Sequence, residues 1–465
     1  MSKITLINLE HRAVTLACSS FALLLGACGG GGEGERAPAQ AQTATAATVP
    51  QQARPPDPAP ASDARSDAAQ SGAAASDADD AGSDDAGSGQ VADVAPESFA
   101  MAGYAGALDD EQARAVARPG GALYVSPHGS DSNPGTATRP FRSLARAARA
   151  VAPGVTVYVA PGTYNGGVRT TKSGRADARI AFVSTERWGA RIVPPARSSG
   201  KSAWDNRGDY IDIVGFDIDG SGHRGGTRWT SGIYNGGSHD TIRSNHVHHI
   251  AREAGCNSAG GAGIGVDSYY RGVQSHVIAN LVHDIGPAGC RFVQGIYVST
   301  TGSVKNNVVY RIAEAGIHLW HDARDVIVSN NTVTGSNTGI VVGGGDFYHT
   351  AGPNDRTAVY NNIVYDNKMG ISEQGRTGRN NSYRNNLVYQ NSTYDWRLKN
   401  GLTHSGTVSS APLFVGDTKV ALPNFSLSAS SPAIGRATPQ HAAATDFNGR
   451  PRNVFSGFDI GAYQH

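Results

Sequence analysis

No apolar pattern of period 3.6 persists through the middle of this 465-residue chain, which excludes a helical fold there. Nor is there an N-terminal apolar run able to span a bilayer as a mature helix: residues 13–27 are too few where about 20 are needed. Basic clusters interleaved with aromatic residues are missing, which argues against nucleic acid as a partner. Lysine almost disappears between residues 202 and 397, where only Lys305 and Lys368 occur. From residue 29 to about 120 large apolar side chains are nearly absent. A stretch of Gly, Ala, Ser, Pro, Gln and Asp cannot bury enough surface to offset its ordering entropy, so 29–120 is expected to be a disordered linker acting as a tether.

Lys3 and Arg12 precede the short apolar run, the pattern of a cleaved secretory signal over residues 1–28. The run closes on Leu25-Gly26-Ala27-Cys28, which resembles the bacterial lipobox. That resemblance implies lipidation of Cys28 and, with Gly29 rather than Asp next, an outer-membrane lipoprotein at the periplasmic or outer face. Charge divides the chain. Residues 1–120 hold 7 Lys/Arg against 16 Asp/Glu, whereas residues 121–465 hold 33 against 23. The folded part is therefore basic and suited to a polyanion. For an exported protein, that points to an acidic, uronate-containing polysaccharide.

A phrase recurs through the middle: apolar residue, two residues, Asn, one residue, Val. It occupies 242–247 (IRSNHV), 277–282 (VIANLV), 304–309 (VKNNVV), 328–333 (VSNNTV), 359–364 (VYNNIV) and 383–388 (YRNNLV). A degenerate copy, 213–218, has Phe216 in the Asn place. Each phrase follows a Gly-Ile pair, at 232/233, 263/264, 295/296, 316/317, 339/340 and 370/371. The terminal Val residues are 35, 27, 24, 31 and 24 apart. A constant phrase with variable insertions specifies a solenoid of short strands, about two dozen residues per coil, with the surplus in loops. The expectation is an all-β, single-stranded right-handed parallel β-helix over residues 121–465. Asn245, Asn280, Asn307, Asn331, Asn362 and Asn386 should stack about 4.8 Å apart as a structural ladder. Residues 140–152 read as one amphipathic helix, with Phe141, Leu144, Ala148 and Val151 on one face, capping the open N-terminal edge. The segment after Asn391 loses the repeat and is expected to close the other end.

Residues 123–164 resemble the opening segment of secreted β-helix proteins of the pectate-lyase-like superfamily. Ser431-Pro432-Ala433-Ile434 and the closing Asp459–His465 resemble its C-terminal signature. The resemblance implies the fold and leaves lyases, hydrolases, epimerases and adhesive coils open. The paired Asp and Gly-His-Gly of polygalacturonase-type hydrolases are absent, as is the Asp-Pro-His-Asp of alginate-epimerase-type coils. Calcium-and-lysine lyases need Asp residues around a Lys, and neither Lys305 nor Lys368 lies on a Gly-Ile strand.

In folds of this kind the substrate lies along the Gly-Ile strands. Alternation of faces puts Tyr234; Gly265 with Asp267; Tyr297 with Ser299; His318 with Trp320; Val341; and Ser372 on the outward row. β-Elimination requires a cation for the uronate carboxylate, a base for the C5 proton and an acid for the leaving oxygen. Arg291 suits the first role, and His318 or Tyr297 the others, with Asp267 orienting the histidine. Trp320 and Tyr234 are sugar-stacking surfaces, and Ser299, His321 and Arg252 complete the expected binding set. Asp267 with Glu253 or Asp284 is a candidate Ca²⁺ set. A glycoside hydrolase would instead pair Asp267 with Glu314 or Asp322. His246, His248 and His249 flank the ladder turn away from the groove and are not read as a zinc site. Cys256 and Cys290 occupy matching places on consecutive coils, where stacked loops would join them by a disulfide. The rival function is a non-catalytic glycan-binding or adhesive coil. A monomer is expected.

Overall fold

A computed structural model describes residues 121–465 except 254, 257–259, 454 and 456. The signal, Cys28 and the linker of residues 29–120 lie outside the described residues. Three parallel sheets run the length of the domain. Sheet A has eleven strands from Ala122–Val125 to His404–Ser405; sheet B has nine, from Gly162–Asn165 to Leu387–Tyr389; sheet C has nine, from Val168–Thr170 to Tyr394–Arg397. Each coil contributes one strand to each sheet, as in Ser275–Ile278, Leu281–Ile285 and Val293–Val298.

The recurring apolar residues explain why the chain coils. Ile242, Val277, Val304, Val328 and Val359 are in register on sheet A, Val247, Val282, Val309, Val333 and Val364 on sheet B, and Ile233, Ile264, Ile296, Ile317, Ile340 and Ile371 on sheet C. All point inward and are buried. Burying such a side chain stabilises by about 1.5–3 kcal/mol, and every coil repeats it three times.

The asparagine ladder forms as expected. Each amide nitrogen, from Asn245 through Asn362, donates to the carboxamide oxygen of the next ladder residue at 2.9–3.1 Å. The same oxygen also accepts the preceding ladder residue's backbone N–H. Phe216 ends the stack, its N–H donating to Asn245 and its ring packing on Trp204. The left-handed backbone, however, belongs to the residue before each ladder position: Ser244, Ala279, Asn306, Asn330, Asn361 and Asn385, with φ between 52° and 60°. In the Asn-Asn doublets the first residue therefore makes the turn and the second makes the ladder.

The helix α1 is Leu144–Ala150, shorter than 140–152, with Ser143 as N-cap accepting from the Arg146 N–H. Phe141, Leu144, Ala148 and Val151 are buried at the open end, as expected. The C-terminal segment departs from expectation. Tyr394–Arg397 and His404–Ser405 continue the coil, and the chain then runs back along its side. Phe425, Phe447 and Ala462 pack on Val308 and Tyr310; Leu427, Ala433 and Ile460 pack on Ile363 and Leu387. The turn asparagines hold it: Asn306, Asn330, Asn361 and Asn385 donate to the carbonyls of Thr445, Asp459, Thr438 and Arg436. The tail covers a flank rather than only closing an end.

Candidate functional site

On sheet C the outward row is Arg169, Asp205, Tyr234, Gly265, Tyr297, His318, Val341, Ser372 and Arg397, each paired in register with the next coil. The expected positions are therefore correct, and an exposed arginine stands at each end. The row is only partly open: Tyr234, Tyr297 and His318 are half-buried, and Val341 and Ser372 are buried. The segments 267–274 and 345–352 form a roof beside the row: Asp267 and Tyr270 contact Tyr234, and His321, bonded to Asp346 and Tyr348, stands 6.0 Å from the Tyr297 ring. Asp322 ties the two segments together, accepting from the Ser268 hydroxyl at 3.0 Å, the backbone N–H groups of His349 and Thr350 at 3.0 and 3.1 Å, and the Thr350 hydroxyl at 2.8 Å.

His318 lies edge-on between Tyr297, 5.4 Å away, and Trp320, 5.5 Å away. Both of its ring nitrogens are buried without a hydrogen-bond partner in the protein. Burial lowers its pKa to about 3, helped by the neighbouring His321, so the ring is a neutral imidazole. Burial also raises the Tyr297 phenol well above its ordinary value, and Tyr348, Asp267 and Asp346 reinforce this. His321 bonds the Asp346 carbonyl and the Tyr348 hydroxyl, both at 2.8 Å, and stacks on the Tyr348 ring at 4.0 Å. It belongs to the roof.

Asp267 accepts from the Tyr234 hydroxyl at 2.9 Å, the Ser299 hydroxyl at 2.7 Å and the Tyr269 N–H at 3.0 Å. It holds Tyr234, not the histidine, because the phenol reaches it first. Ser299 is fully buried beneath Asp267 and presents nothing to a ligand. The Trp320 indole lies against the next coil, where a Cβ on Gly343 or Gly345 would come within 2.6 and 2.8 Å of it. One face is thereby occupied.

Other expected residues are not brought to this site. Arg291 and Glu314 precede their strands, eight and six residues from the level of Asp267 and Ser299, roughly 20–26 Å along an extended strand. Glu314 bonds Asn337, and its pKa is raised by burial. Glu314 is separated from Asp267 by distance, and Asp322 stands near Asp267 through the Ser268 and Ser299 hydroxyls but is held by four donors as a tie between the roof segments. Arg252 reaches Asp284 on the sheet B side, and Arg311 clamps the same carboxylate at 2.7 and 3.0 Å. Glu253 pairs with Arg228. The Ca²⁺ candidates Asp267, Glu253 and Asp284 therefore occupy three separate places, and their oxygens already have donors.

The roof supplies residues that periodicity could not reveal. Tyr269, Tyr270 and Tyr348 are 46, 54 and 39 % exposed and stand edge-to-face, with Tyr269 5.0 Å from Tyr270 and 5.5 Å from Tyr348. The Arg207 guanidinium lies 4.5 and 3.7 Å from the ring centroids of Tyr234 and Tyr270, its Nε donating to Asp205 at 2.5 Å. These residues sit in insertions or in a coil before the ladder begins. The Tyr269-Tyr270 pair beside Asp267 was the available signal. Cys256 and Cys290 are joined by a disulfide, with Cα atoms 5.4 Å apart.

A family model described as "Pel9A-like, right handed beta helix region" matches residues 123–406, more than half of the chain. Pectate lyase L of Dickeya chrysanthemi is 26% identical over 352 residues, covering 64% of this chain and 79% of that protein. An uncharacterized Bacillus subtilis protein, YwoF, is 33% identical over 148 residues, 30% of this chain and 31% of its own length, so the match spans under a third of that relative. The crystal structure of pectate lyase Pel9A superposes with a TM-score of 0.51 at 18% identity, covering 76% of this chain and 98% of that one. At that identity the likeness establishes the fold.

Proposed function

Because the chain belongs to the Pel9A-like right-handed β-helix family, we propose that it is an exported lyase, acting as a monomer on a uronate-containing polysaccharide by β-elimination in the sheet C groove. The observation that carries the reading is His318, whose two nitrogens lack partners on the groove floor. A buried polar group left unpaired costs about 1–3 kcal/mol, which substrate binding can recover. The protonation states support a division of roles. The neutral imidazole accepts the C5 proton, and Tyr297, held protonated by burial, donates to the leaving oxygen. A uronate carboxylate beside the ring would raise its proton affinity as the imidazolium forms. Arg207, held against the Tyr234 and Tyr270 rings, is a cation on the groove for a uronate of the same glycan chain bound several coils from His318, and the family resemblance to pectate lyase L supports an acidic glycan.

Incubating the protein with a panel of uronate polymers should generate the ultraviolet absorbance of an unsaturated product. His318→Ala and Tyr297→Phe should each lower kcat by about 10²–10⁴-fold. A second reading, a glycan-binding coil without catalysis, is favoured by the exposed Tyr269, Tyr270 and Tyr348 rings. Retained binding with no product from any acidic glycan would establish it over the lyase. The location follows from the lipobox resemblance: Cys28→Ala should release the chain from the membrane fraction, and its retention there would overturn the anchor.

A further inference from the structure

Sheet B carries a second concentration of chemistry on its outer face, on a different side of the coil from the groove. Strand His246–His248 presents two imidazoles two residues apart, hence on one face, and the preceding strand Asp217–Asp219 presents two carboxylates beside them in register. Asp217 Oδ1 lies 3.1 Å from His246 Nδ1 and 2.9 Å from His248 Nε2. The three donor atoms fall within 4.8 Å of one another. In a tetrahedral site with bonds of about 2.0–2.1 Å, neighbouring donors stand about 3.3 Å apart. The two carboxylate–imidazole separations are therefore within a few tenths of an ångström of zinc geometry, and the two imidazole nitrogens, no more than 4.8 Å apart, need close only slightly on an ion.

The outer nitrogens of both histidines are also engaged. His246 Nε2 meets His283 Nε2 at 2.8 Å, and His283 Nδ1 meets Asp284 Oδ2 at 2.6 Å. His248 Nδ1 meets His249 Nδ1 at 2.6 Å. Ring stacking fixes the orientations: Trp188 on His246 at 4.9 Å, His248 on His283 at 5.3 Å, and His283 on Tyr310 at 4.7 Å. Such outer partners orient ligands in metal sites.

A count of hydrogens shows that the cluster needs either a cation or one extra proton. The contacts Asp217–His246, His246–His283, His283–Asp284, Asp217–His248 and His248–His249 need five hydrogens to be hydrogen bonds. Four neutral imidazoles bring one each. With both ligand histidines donating to Asp217, His283 Nδ1 is left facing the Asp284 carboxylate with lone pair against lone pair. A cation beside Asp217 removes the conflict. His246 Nδ1 and His248 Nε2 then turn their lone pairs to the ion, and every outer contact becomes a proper hydrogen bond with all four imidazoles neutral, His283 donating to the Asp284 carboxylate.

We propose that Asp217, His246 and His248 bind one divalent transition-metal ion of the zinc class, with His283–Asp284 and His249 as positioning residues. The overlapping group of Asp219, His248 and His249 is the poorer set: Arg191 bonds Asp219 directly but stands 3.6 Å from Asp217, on the oxygen turned away from the histidines, and Asp219 also accepts from the Ser221 N–H and stands 3.6 Å from His248. The ligand side chains are 15, 15 and 11 % exposed, enough for an ion to enter and keep a water as fourth ligand. The ion would tie two coils together at the flank of the solenoid.

The test uses the untagged chain stripped with chelator, then titrated with Zn²⁺ and, separately, Co²⁺. Expected are one equivalent of Zn²⁺ bound, a Tm that rises with free Zn²⁺, and the intense visible bands of four-coordinate Co²⁺. His246→Gln and Asp217→Asn should abolish the Co²⁺ bands. His283→Gln should keep one equivalent but weaken it about 10–100-fold. Because the wild-type titration is itself decisive, misfolding of a variant cannot rescue the proposal. Failure of the wild-type chain to retain Zn²⁺ or shift its Tm would overturn it and assign the fifth hydrogen to an imidazolium.

Discussion

The two ring nitrogens of His318 make it acid-sensitive as well as a candidate base. Its pKa is about 3 in the fold, against an ordinary value of 6.5. Between those values the unfolded chain takes up a proton that the folded chain refuses, so stability is full above about 6.5 and is lost as the pH falls toward 3. His246, His249 and His283 are lowered in the same direction, chiefly by burial. Replacing His318 by Phe should therefore flatten, without abolishing, the fall of Tm between pH 6.5 and 4 measured by calorimetry. An unchanged slope would mean that the ring is not buried in solution. The position of this residue was legible in the sequence from strand alternation. Its burial was not, because the roofing segments 267–274 and 345–352 lie outside the repeat.

At the level of strands and turns, each coil depends on a buried amide that bonds in both directions. Asn331 accepts from the backbone and side chain of Asn307 and donates to the Val304 carbonyl and to Asn362. Asn331→Ala strands several buried groups at about 1–3 kcal/mol each, so a loss of about 2–5 kcal/mol is expected in urea unfolding. Asn330→Gly keeps the left-handed turn and loses only anchors to the tail, and should cost about 1 kcal/mol. The doublet was visible in the sequence, but which Asn turned and which stacked depended on backbone dihedrals that spacing does not report. The Cys256–Cys290 bridge spans 34 residues. Removing it as the double Ser variant should lower stability by about 3–4 kcal/mol in chain-entropy terms, read as a shift in the unfolding midpoint.

Across the whole molecule, the tail decides how much of the solenoid faces water. Deleting residues 409–465 would uncover Val308, Tyr310, Ile363 and Leu387 together with the turn asparagines that bond the tail. The truncated chain should aggregate on expression, and a soluble monomer in size-exclusion chromatography would contradict that expectation. Sequence alone determined the coil, its register and its ladder, because these follow from a periodic pattern of apolar and amide residues that each coil satisfies against the next. It also determined the middle of the sheet C floor, from Tyr234 to Ser372, but not Arg169, Asp205 and Arg397 at its ends. Tertiary structure alone decided what covers that floor; it placed Arg291 away from it and gave Arg252, Glu253, Asp284, Glu314 and Asp322 other partners. It likewise gathered Asp217, His246, His248 and His283 from three successive coils. The physical reason is the same in each case: the repeat is local and one-dimensional, while loops and the returning tail meet it through contacts between residues far apart in the chain.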